Sequence, residues 1–211
     1  MAWIRDKSVL YFKLVLCIAI LSCVSPFPEK PAAKTAMVAP AALPPIAQPA
    51  EGSPRIVIWK SHYTLTLYRG DVPVKTYRTT FGKGFREGDK KRVRDRRTPE
   101  GDFYICTMNR SKRFYKFMGL SYPGLKHAEY GLKANLISPL EYQLIKAQLE
   151  EQQAPPWDTL LGGAVGIHGM SLGGSLQPGD IVSRNWTDGC IALENEDVDE
   201  IFSIVTLGTP V

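Results

Sequence analysis

Alternation of apolar and polar side chains predicts a β-rich domain in this chain. Residues 55–59 and 63–68 alternate with the two-residue period of strands that place one face on a core. Arg69-Gly70-Asp71 is a hairpin-turn sequence, and residues 72–81 follow it with Val, Thr and aromatic side chains, which favour strands. Three neighbouring antiparallel strands are therefore expected.

Two later segments carry helix signals. Ser138-Pro139-Leu140-Glu141 combines a capping box with proline at the first helical position, which predicts a helix to about Gln152. Its expected core face consists of Leu140, Leu144, Ile145 and Ala147. Asn195 is the expected N-cap of a second helix, whose apolar face would be Val198, Ile201, Phe202 and Val205.

Four more short strands complete the predicted domain, at residues 102–108, 164–167, 191–193 and 206–211. The first of them follows the turn sequence Thr98-Pro99-Glu100-Gly101. The expected fold is mainly β, with a few short α-helices packed alongside.

The N-terminal residues have the character of an export signal. Arg5, Lys7 and Lys13 precede an uncharged apolar run at residues 14–24, which is shorter than the roughly 17 residues needed to span a bilayer. Residues 1–24 are therefore interpreted as a signal peptide, with an uncleaved membrane anchor as the alternative. Residues 25–54 are rich in Pro and Ala, which predicts an extended tether. This leaves residues 55–211 as one domain of ordinary size.

Leu21-Ser22-Cys23 resembles a bacterial lipobox, in which the cysteine is lipidated and becomes the new N-terminus. Cleavage without lipid and retention as an anchor remain open, and Cys23 could equally be a small apolar residue of a signal helix. In each exported case we expect a location in the cell envelope or periplasm, with membrane contact through the N-terminus.

The net charge of +5 has a local source. Residues 83–97 hold eight Lys and Arg against three acidic side chains, so the rest of the chain is close to neutral. Such a run could contact nucleic acid, but the export signal argues against a nucleic-acid partner. A solvated loop, or a surface for an anionic wall polymer or a substrate carboxylate, is expected instead.

An imidazole and a thiol each stand beside a glycine, in Gly166-Ile167-His168-Gly169 and in Thr187-Asp188-Gly189-Cys190. A free cysteine thiol with a pKa of about 8.5 is mostly protonated at neutral pH, and a nearby imidazole can remove its proton. Flanking glycines leave the backbone open to an approaching carbonyl. The pattern predicts acyl transfer, with Cys190 as nucleophile and His168 as general base and acid.

Cysteine, histidine and serine also have structural, catalytic and metal-binding roles that differ from this one. A Cys106–Cys190 disulfide is the plainest alternative, although Cys106 lies in an apolar strand-like run and Cys190 in a glycine turn. His62 and His127 lack comparable surroundings and are interpreted as structural or surface residues. The candidate serine nucleophiles Ser171, Ser175 and Ser183 do not lie in a Gly-x-Ser-x-Gly elbow. The Cys and His spacings do not match a zinc site, so neither a metal nor a cofactor is expected.

Taken together, His168-Gly169, the glycine-rich loop that follows and Thr187-Asp188-Gly189-Cys190-Ile191 resemble the signature of the L,D-transpeptidase (YkuD-domain) family. Further familial stretches lie at residues 98–101, 121–123, 155–159, 162–163 and 208–211. The resemblance implies a β-sandwich-like catalytic domain that acts on peptidoglycan stem peptides. In the family, the cysteine attacks the L,D bond after the third stem residue, usually diaminopimelate. D-alanine leaves, and the thioester is passed to an amine.

The chemistry and the resemblance assign roles around the two central residues. The backbone N–H groups of Gly189 and Cys190 would form an oxyanion site, and Gly169 and Thr187 would support the loops. A carbonyl or a Ser/Thr hydroxyl near the loop would orient the imidazole. Many members carry Arg two residues after the cysteine, where this chain has Ala192. Arg184 or the basic loop could supply the missing cation.

Three functions remain open on the sequence. The first is a transpeptidase that cross-links stem peptides or attaches a wall protein. The second is an L,D-carboxypeptidase or endopeptidase that hydrolyses stem-peptide or peptidoglycan–protein links, because the Ala-Leu-x-Asn-x-Asp variant after Cys190 resembles a branch that includes wall hydrolases. The third is a non-catalytic wall-binding module.

Overall fold

A computed structural model describes the chain over residues 52–111, 113–170 and 184–211. The predicted signal segment, nearly all of the predicted tether, Cys23 and the three candidate serines lie outside the described residues. The described residues form a mainly β structure with these elements: β1 Pro54–Trp59, β2 Thr64–Arg69, β3 Val72–Arg78, β4 Ile105–Ser111, β5 Tyr115–Leu120, α1 Leu125–Lys133, α2 Pro139–Glu150, β6 Gly166–His168, β7 Ile191–Ala192 and α3 Asn195–Ile204.

The first sheet contains β1, β2 and β3 in that order, with antiparallel pairing throughout. Ile56 pairs with Leu67, and Leu65 pairs with Tyr77, and all four side chains are buried. The apolar residues of the alternating pattern therefore lie on the face of the sheet that packs on the core, as predicted. The third strand ends earlier than predicted, at Arg78, because the chain then crosses to the second sheet, where Thr80 bridges to Ala192.

The second sheet has the order β4-β5-β6-β7, in which only the last pair is parallel. Ile167 pairs with Ile191, and His168 pairs with Ala192. Cys190 immediately precedes β7, so the register places it beside Gly166, two residues before His168 on the adjacent strand. Side chains two residues apart on a strand share a face, and the parallel pair thus brings the thiol and the imidazole to one side of the sheet.

Two apolar clusters hold these elements together. The larger one joins both sheets to α3 through buried residues that include Leu67, Phe81, Ile105, Met118, Ile167, Ile191, Val198 and Ile201. The smaller one packs α1 and α2 through Tyr104, Ala128, Ile137, Ile145, Leu149 and Leu161. The strand pair that carries the site therefore rests on the larger core.

Several predicted boundaries and faces were wrong. The strand expected at 102–108 lies at Ile105–Ser111, and the sequence analysis missed β5 and α1. Residues 206–211 form no regular strand, although Pro210 bridges to Tyr104 and the backbone of Val211 exchanges two hydrogen bonds with Phe103. These backbone bonds close the C-terminal segment onto the start of the second sheet.

The helix α2 has its predicted capping box, and its predicted core face was right at Ile145 but wrong at the other three positions. Ile145 and Leu149 are buried, whereas Leu140 is 78% exposed and Leu144 is 47% exposed; Ala147 is exposed as well. Ile145 and Leu149 are four residues apart and so share one face. This face packs with Ala128 of α1 in the smaller cluster.

Two smaller expectations also need correction. Glu194, and not Asn195, occupies the N-cap of α3, and the Asn195 side chain bonds elsewhere. Cys106 and Cys190 are both free thiols, which contradicts the disulfide alternative.

Over the described ranges, no helix is long and apolar enough to cross a membrane. The same residues contain no group of three or more His, Cys, Asp or Glu side chains arranged to hold a metal ion.

Candidate active site

The predicted nucleophile and base line one open cavity of about 540 Å³. Cys190 and His168 line it together with the segments 162–165 and 186–188. The basic loop contributes Lys90, Val93, Arg94 and Arg96, and the segment before β5 contributes Arg113 and Phe114. His62 and His127 do not line this cavity. His62 is exposed, and His127 is buried with its Nε2 3.1 Å from Asp89 Oδ1.

The turn that carries Cys190 is held from within by Thr187. The Thr187 hydroxyl donates to the Cys190 carbonyl oxygen at 2.7 Å, and it accepts from the Gly189 N–H at 3.2 Å. Gly189 has φ +135°, and a Cβ atom there would lie 2.7 Å from the Arg97 carbonyl oxygen. Only glycine satisfies both conditions. The Gly189 N–H, expected as an oxyanion donor, is thus engaged inside the turn.

His168 is held in one tautomer. Its side chain is 1% exposed, and Nδ1 lies 2.7 Å from the Gly169 carbonyl oxygen. A carbonyl oxygen can only accept, so Nδ1 carries the hydrogen and Nε2 keeps its lone pair. The orienting group that the sequence left open is therefore a backbone carbonyl. Aromatic rings enclose the imidazole, with the Phe114 centroid at 4.4 Å and the Trp186 centroid at 5.9 Å.

Asn195 fixes the backbone that follows this carbonyl. Its Oδ1 accepts from the Met170 N–H at 2.7 Å, and its Nδ2 donates to the Met170 carbonyl oxygen at 2.8 Å. A Cβ atom on Gly169 would lie 2.3 Å from Asn195 Oδ1, which explains the glycine at that position. Asn195 was predicted as a helix cap, because it has a short amide side chain and stands at a helix start. That side chain does form hydrogen bonds, but with the backbone of Met170 and not with its own helix.

Burial lowers the pKa of His168 to about 4, and the charge of Arg113 acts in the same direction, whereas the bond to Gly169 opposes the shift. Burial also raises the pKa of the Cys190 thiol to about 11, against the opposing effects of the Gly166 backbone N–H and the Lys90 and Arg113 charges. Both groups are neutral at pH 7. In this state the thiol donates to the Ala164 carbonyl oxygen at 3.6 Å.

The cavity is lined by four cationic side chains and one carboxylate, that of Asp188. Arg184 is not among them; it is exposed, and its carbonyl accepts from the Thr80 hydroxyl at 2.6 Å. Ala192 is completely buried in β7, so an arginine could not replace it without displacing the core. The basic loop was predicted as a source of positive charge, whereas Arg113, Phe114 and Trp186 were not predicted to lie at the site.

The family follows from a direct match. Residues 53–211 match the model of the YkuD family, which is described as the L,D-transpeptidase catalytic domain. The chain belongs to this family. The match covers all ten helices and strands given above and both glycine-flanked motifs.

Solved L,D-transpeptidases are similar at low identity. One from Mycobacterium smegmatis is 12% identical with a TM-score of 0.44, over 75% of this chain and 57% of that one. One from Xylanimonas cellulosilytica is 13% identical with a TM-score of 0.44, over 77% and 60%. A Bdellovibrio bacteriovorus protein is 16% identical with a TM-score of 0.47, over 75% and 46%. This chain therefore spans only about half to three fifths of their lengths. A comparison with curated protein sequences found no match.

Proposed function

We propose that this domain is a cysteine-dependent L,D-transpeptidase that acts on peptidoglycan stem peptides through a thioester acyl-enzyme. The observation that carries the proposal is the pair of Cys190 and His168 on one cavity, with the imidazole held through Nδ1 by the Gly169 carbonyl. That bond leaves Nε2 as the atom that takes a proton. Membership of the YkuD family supports the same substrate class.

In the acylation half-reaction, Cys190 Sγ attacks the carbonyl carbon of the L,D bond while its proton moves to His168 Nε2. The tetrahedral intermediate collapses, the C–N bond breaks, and the proton on Nε2 passes to the departing amine of D-alanine. Because both groups start neutral, proton transfer and attack are coupled, and no stable thiolate–imidazolium pair is needed.

Deacylation reverses these steps with a new acceptor. An amine attacks the thioester carbonyl and gives its proton to His168 Nε2. The thiolate leaves and recovers that proton. If water takes the place of the amine, the product is a free carboxylate, so one site can serve both transfer and hydrolysis.

The oxyanion of either intermediate requires donors beside Cys190. We assign the Cys190 backbone N–H to this role. The Gly189 N–H has a different part, because its bond to the Thr187 hydroxyl shapes the turn. Gly189 thus supports the site through conformation, and Thr187 supports it by bonding both ends of the turn.

The decisive experiment is incubation of the purified protein with tetrapeptide muropeptides, followed by mass spectrometry. Cross-linked dimers and a thioester adduct on Cys190 are the expected result. Trimmed monomers alone would replace transfer with L,D-carboxypeptidase activity.

Cys190→Ser should give neither product, because a serine hydroxyl is far harder to ionise. Cys106→Ser is the matched control, since Cys106 packs on the smaller apolar cluster, does not line the cavity and bonds the Gly119 carbonyl oxygen. Activity retained by Cys190→Ser would point to a different site, and the absence of any product would favour a wall-binding module.

We also propose that the protein is exported and held at the outer face of the cytoplasmic membrane through its N-terminus, with a wall-attached protein as a further candidate acceptor or substrate. The basic and apolar pattern of residues 1–24 and the Pro/Ala-rich segment support this location. It would place the domain on the side of the membrane where peptidoglycan lies.

A further inference from the structure

The basic loop beside the cavity, residues 83–97, forms a platform that is held together by one carboxylate, that of Asp95. Asp95 accepts from the backbone N–H groups of Lys91, Arg92 and Arg97 at 2.7, 3.0 and 3.0 Å. It also accepts from the Lys90 ammonium at 2.7 Å, and the side chains of this ion pair are only 4% and 8% exposed. Several hydrogen bonds to one carboxylate, each of them charge-assisted, hold the loop in one conformation.

Two arginines of the loop adopt an uncommon backbone conformation. Arg94 has φ +63° and Arg96 has φ +58°, in the left-handed region that side chains other than Gly, Asn and Asp seldom occupy. Hydrogen bonds on both sides maintain it, from the Val93 N–H to the Leu160 carbonyl oxygen and from the Gly84 N–H to the Arg96 carbonyl oxygen, each 2.9 Å. Such a conformation persists only where its surroundings determine it, and it sets the direction of both side chains.

The platform packs backbone against backbone on the turn of Cys190. A Cβ atom on Gly82 would lie 2.1 Å from the Arg96 carbonyl oxygen, and one on Gly189 would lie 2.7 Å from that of Arg97. No side chain separates the loop from the turn at these points. The backbone of the loop at Arg96 and Arg97 therefore lies directly against Gly82 and Gly189.

The cations of the cavity are not equally available to a ligand. Lys90 is neutralised by Asp95, and an Arg96 guanidinium nitrogen lies 3.7 Å from Asp188. In the part of the chain that the structure describes, Arg94 and Arg113 have no carboxylate partner. Two unpaired guanidinium groups therefore line the same cavity as the thiol.

Arg113 is close to the reacting groups. Its guanidinium carbon lies 4.9 Å from the centroid of the Phe114 ring, and that ring is 4.4 Å from the imidazole of His168. The Arg113 charge also lowers the pKa values of both His168 and Cys190, as a cation within electrostatic reach of each would.

We propose that Arg94 and Arg113 bind a carboxylate of the donor stem peptide and thereby select donors that carry it. They would supply, from the basic loop and from the segment between β4 and β5, the positive charge that many family members carry as an arginine at the position of Ala192. A guanidinium matches a carboxylate with two parallel N–H···O bonds, which are stronger than hydrogen bonds between neutral groups. The donor offers two carboxylates, that of the leaving D-alanine, next to the attacked bond, and that at the far end of the diaminopimelate side chain. This inference rests on the proposed function.

The test compares three variants of the full chain with three donors. Arg94→Gln and Arg113→Gln each remove one charge, and Arg92→Gln is the matched control, an exposed residue of the same loop that does not line the cavity. The donors are the free tetrapeptide, its diaminopimelate side-chain amide and its terminal D-alanine amide. The measurement is the rate of thioester formation against donor concentration.

With the free tetrapeptide, Arg94→Gln and Arg113→Gln should each lower kcat/KM by about 10-fold or more, mainly through KM, as for the loss of a hydrogen bond to a charged group. Arg92→Gln should leave it unchanged. Amidation of the bound carboxylate should cause a similar loss in the unaltered protein and abolish the difference between that protein and the two variants. The amide that does so identifies which carboxylate is bound.

Equal losses on charged and amidated donors would overturn the inference, because the arginines would then act on fold or reactivity alone. The absence of any thioester on the unaltered protein would overturn the proposed function instead. In that case, calorimetric binding of the free tetrapeptide to Cys190→Ser decides the inference. Binding weakened by Arg94→Gln but not by Arg92→Gln supports it, and equal binding by both overturns it.

Discussion

At the scale of single residues, His168 decides the pH range of the site. With a pKa of about 4, its imidazole is neutral and able to accept a proton over most of the acidic range. We expect kcat/KM for acylation to stay level from pH 7 down to about 5 and to fall as Nε2 becomes protonated near pH 4. A pH–rate profile measures this. An acid limb near the ordinary histidine value would show that the imidazole is solvated during the reaction.

Removal of the imidazole should slow acylation by a factor that depends on pH. His168→Ala is expected to slow acylation by about 100-fold or more at neutral pH, because general-base catalysis is lost. The rate should partly recover toward pH 11, where the Cys190 thiol ionises unaided. Single-turnover thioester formation at pH 7 and pH 10 would check this, and an unchanged rate at pH 7 would make His168 a structural residue.

Asn195 is expected to act as a positioning residue, because it holds Met170 on both its N–H and its carbonyl. Asn195→Ala should lower kcat by about 10-fold with little change in KM, and it should move the acid limb toward the ordinary histidine pKa as the imidazole loosens. Asn109→Ala is a matched control, since the Asn109 side chain is exposed and bonds the adjacent Arg110 carbonyl. An unaltered pH profile in Asn195→Ala would reduce its role to stability.

At the scale of elements, the two faces of α2 give a sharp comparison. Ile145 is completely buried, whereas Leu144 is 47% exposed. Ile145→Ala should lower the free energy of unfolding by about 2–5 kcal/mol, and Leu144→Ala by about 1 kcal/mol or less. Urea denaturation of both variants would measure the difference. Similar losses would mean that Leu144 is packed as tightly as Ile145.

At the scale of the whole molecule, the proposed envelope location depends on the N-terminal segment. If Cys23 carries lipid, the mature N-terminus should show the corresponding added mass, and Cys23→Ala should release the protein into the soluble envelope fraction or stall its processing. Mass spectrometry and cell fractionation test this. A mature chain that starts downstream of Cys23 without lipid would refute lipidation but not export. Full-length protein that stays membrane-bound after the substitution would indicate an uncleaved anchor.

What the sequence could predict was local. Three local features could be predicted, because each depends on backbone preferences within a few residues. They are the hairpin at Arg69–Asp71, the capping box at Ser138, and the glycines beside His168 and Cys190. The mainly β fold followed from side-chain alternation for the same reason. The resemblance to the YkuD family, confirmed by the family match, came from motifs of this kind.

The surroundings of the site depended on the tertiary structure. Parallel pairing of β6 and β7 brings His168 and Cys190 to one face, although more than 20 residues separate them in the chain. Arg113 lies between β4 and β5, and Asn195 is the first residue of α3. Their contacts with the site join distant parts of the chain, so a local sequence pattern could not predict them. The packed face of α2 was likewise decided by where α1 lies. Side-chain type and spacing determined what chemistry this chain could hold, whereas strand order and packing determined which charges and bonds surround it, because those contacts join residues that are distant in sequence.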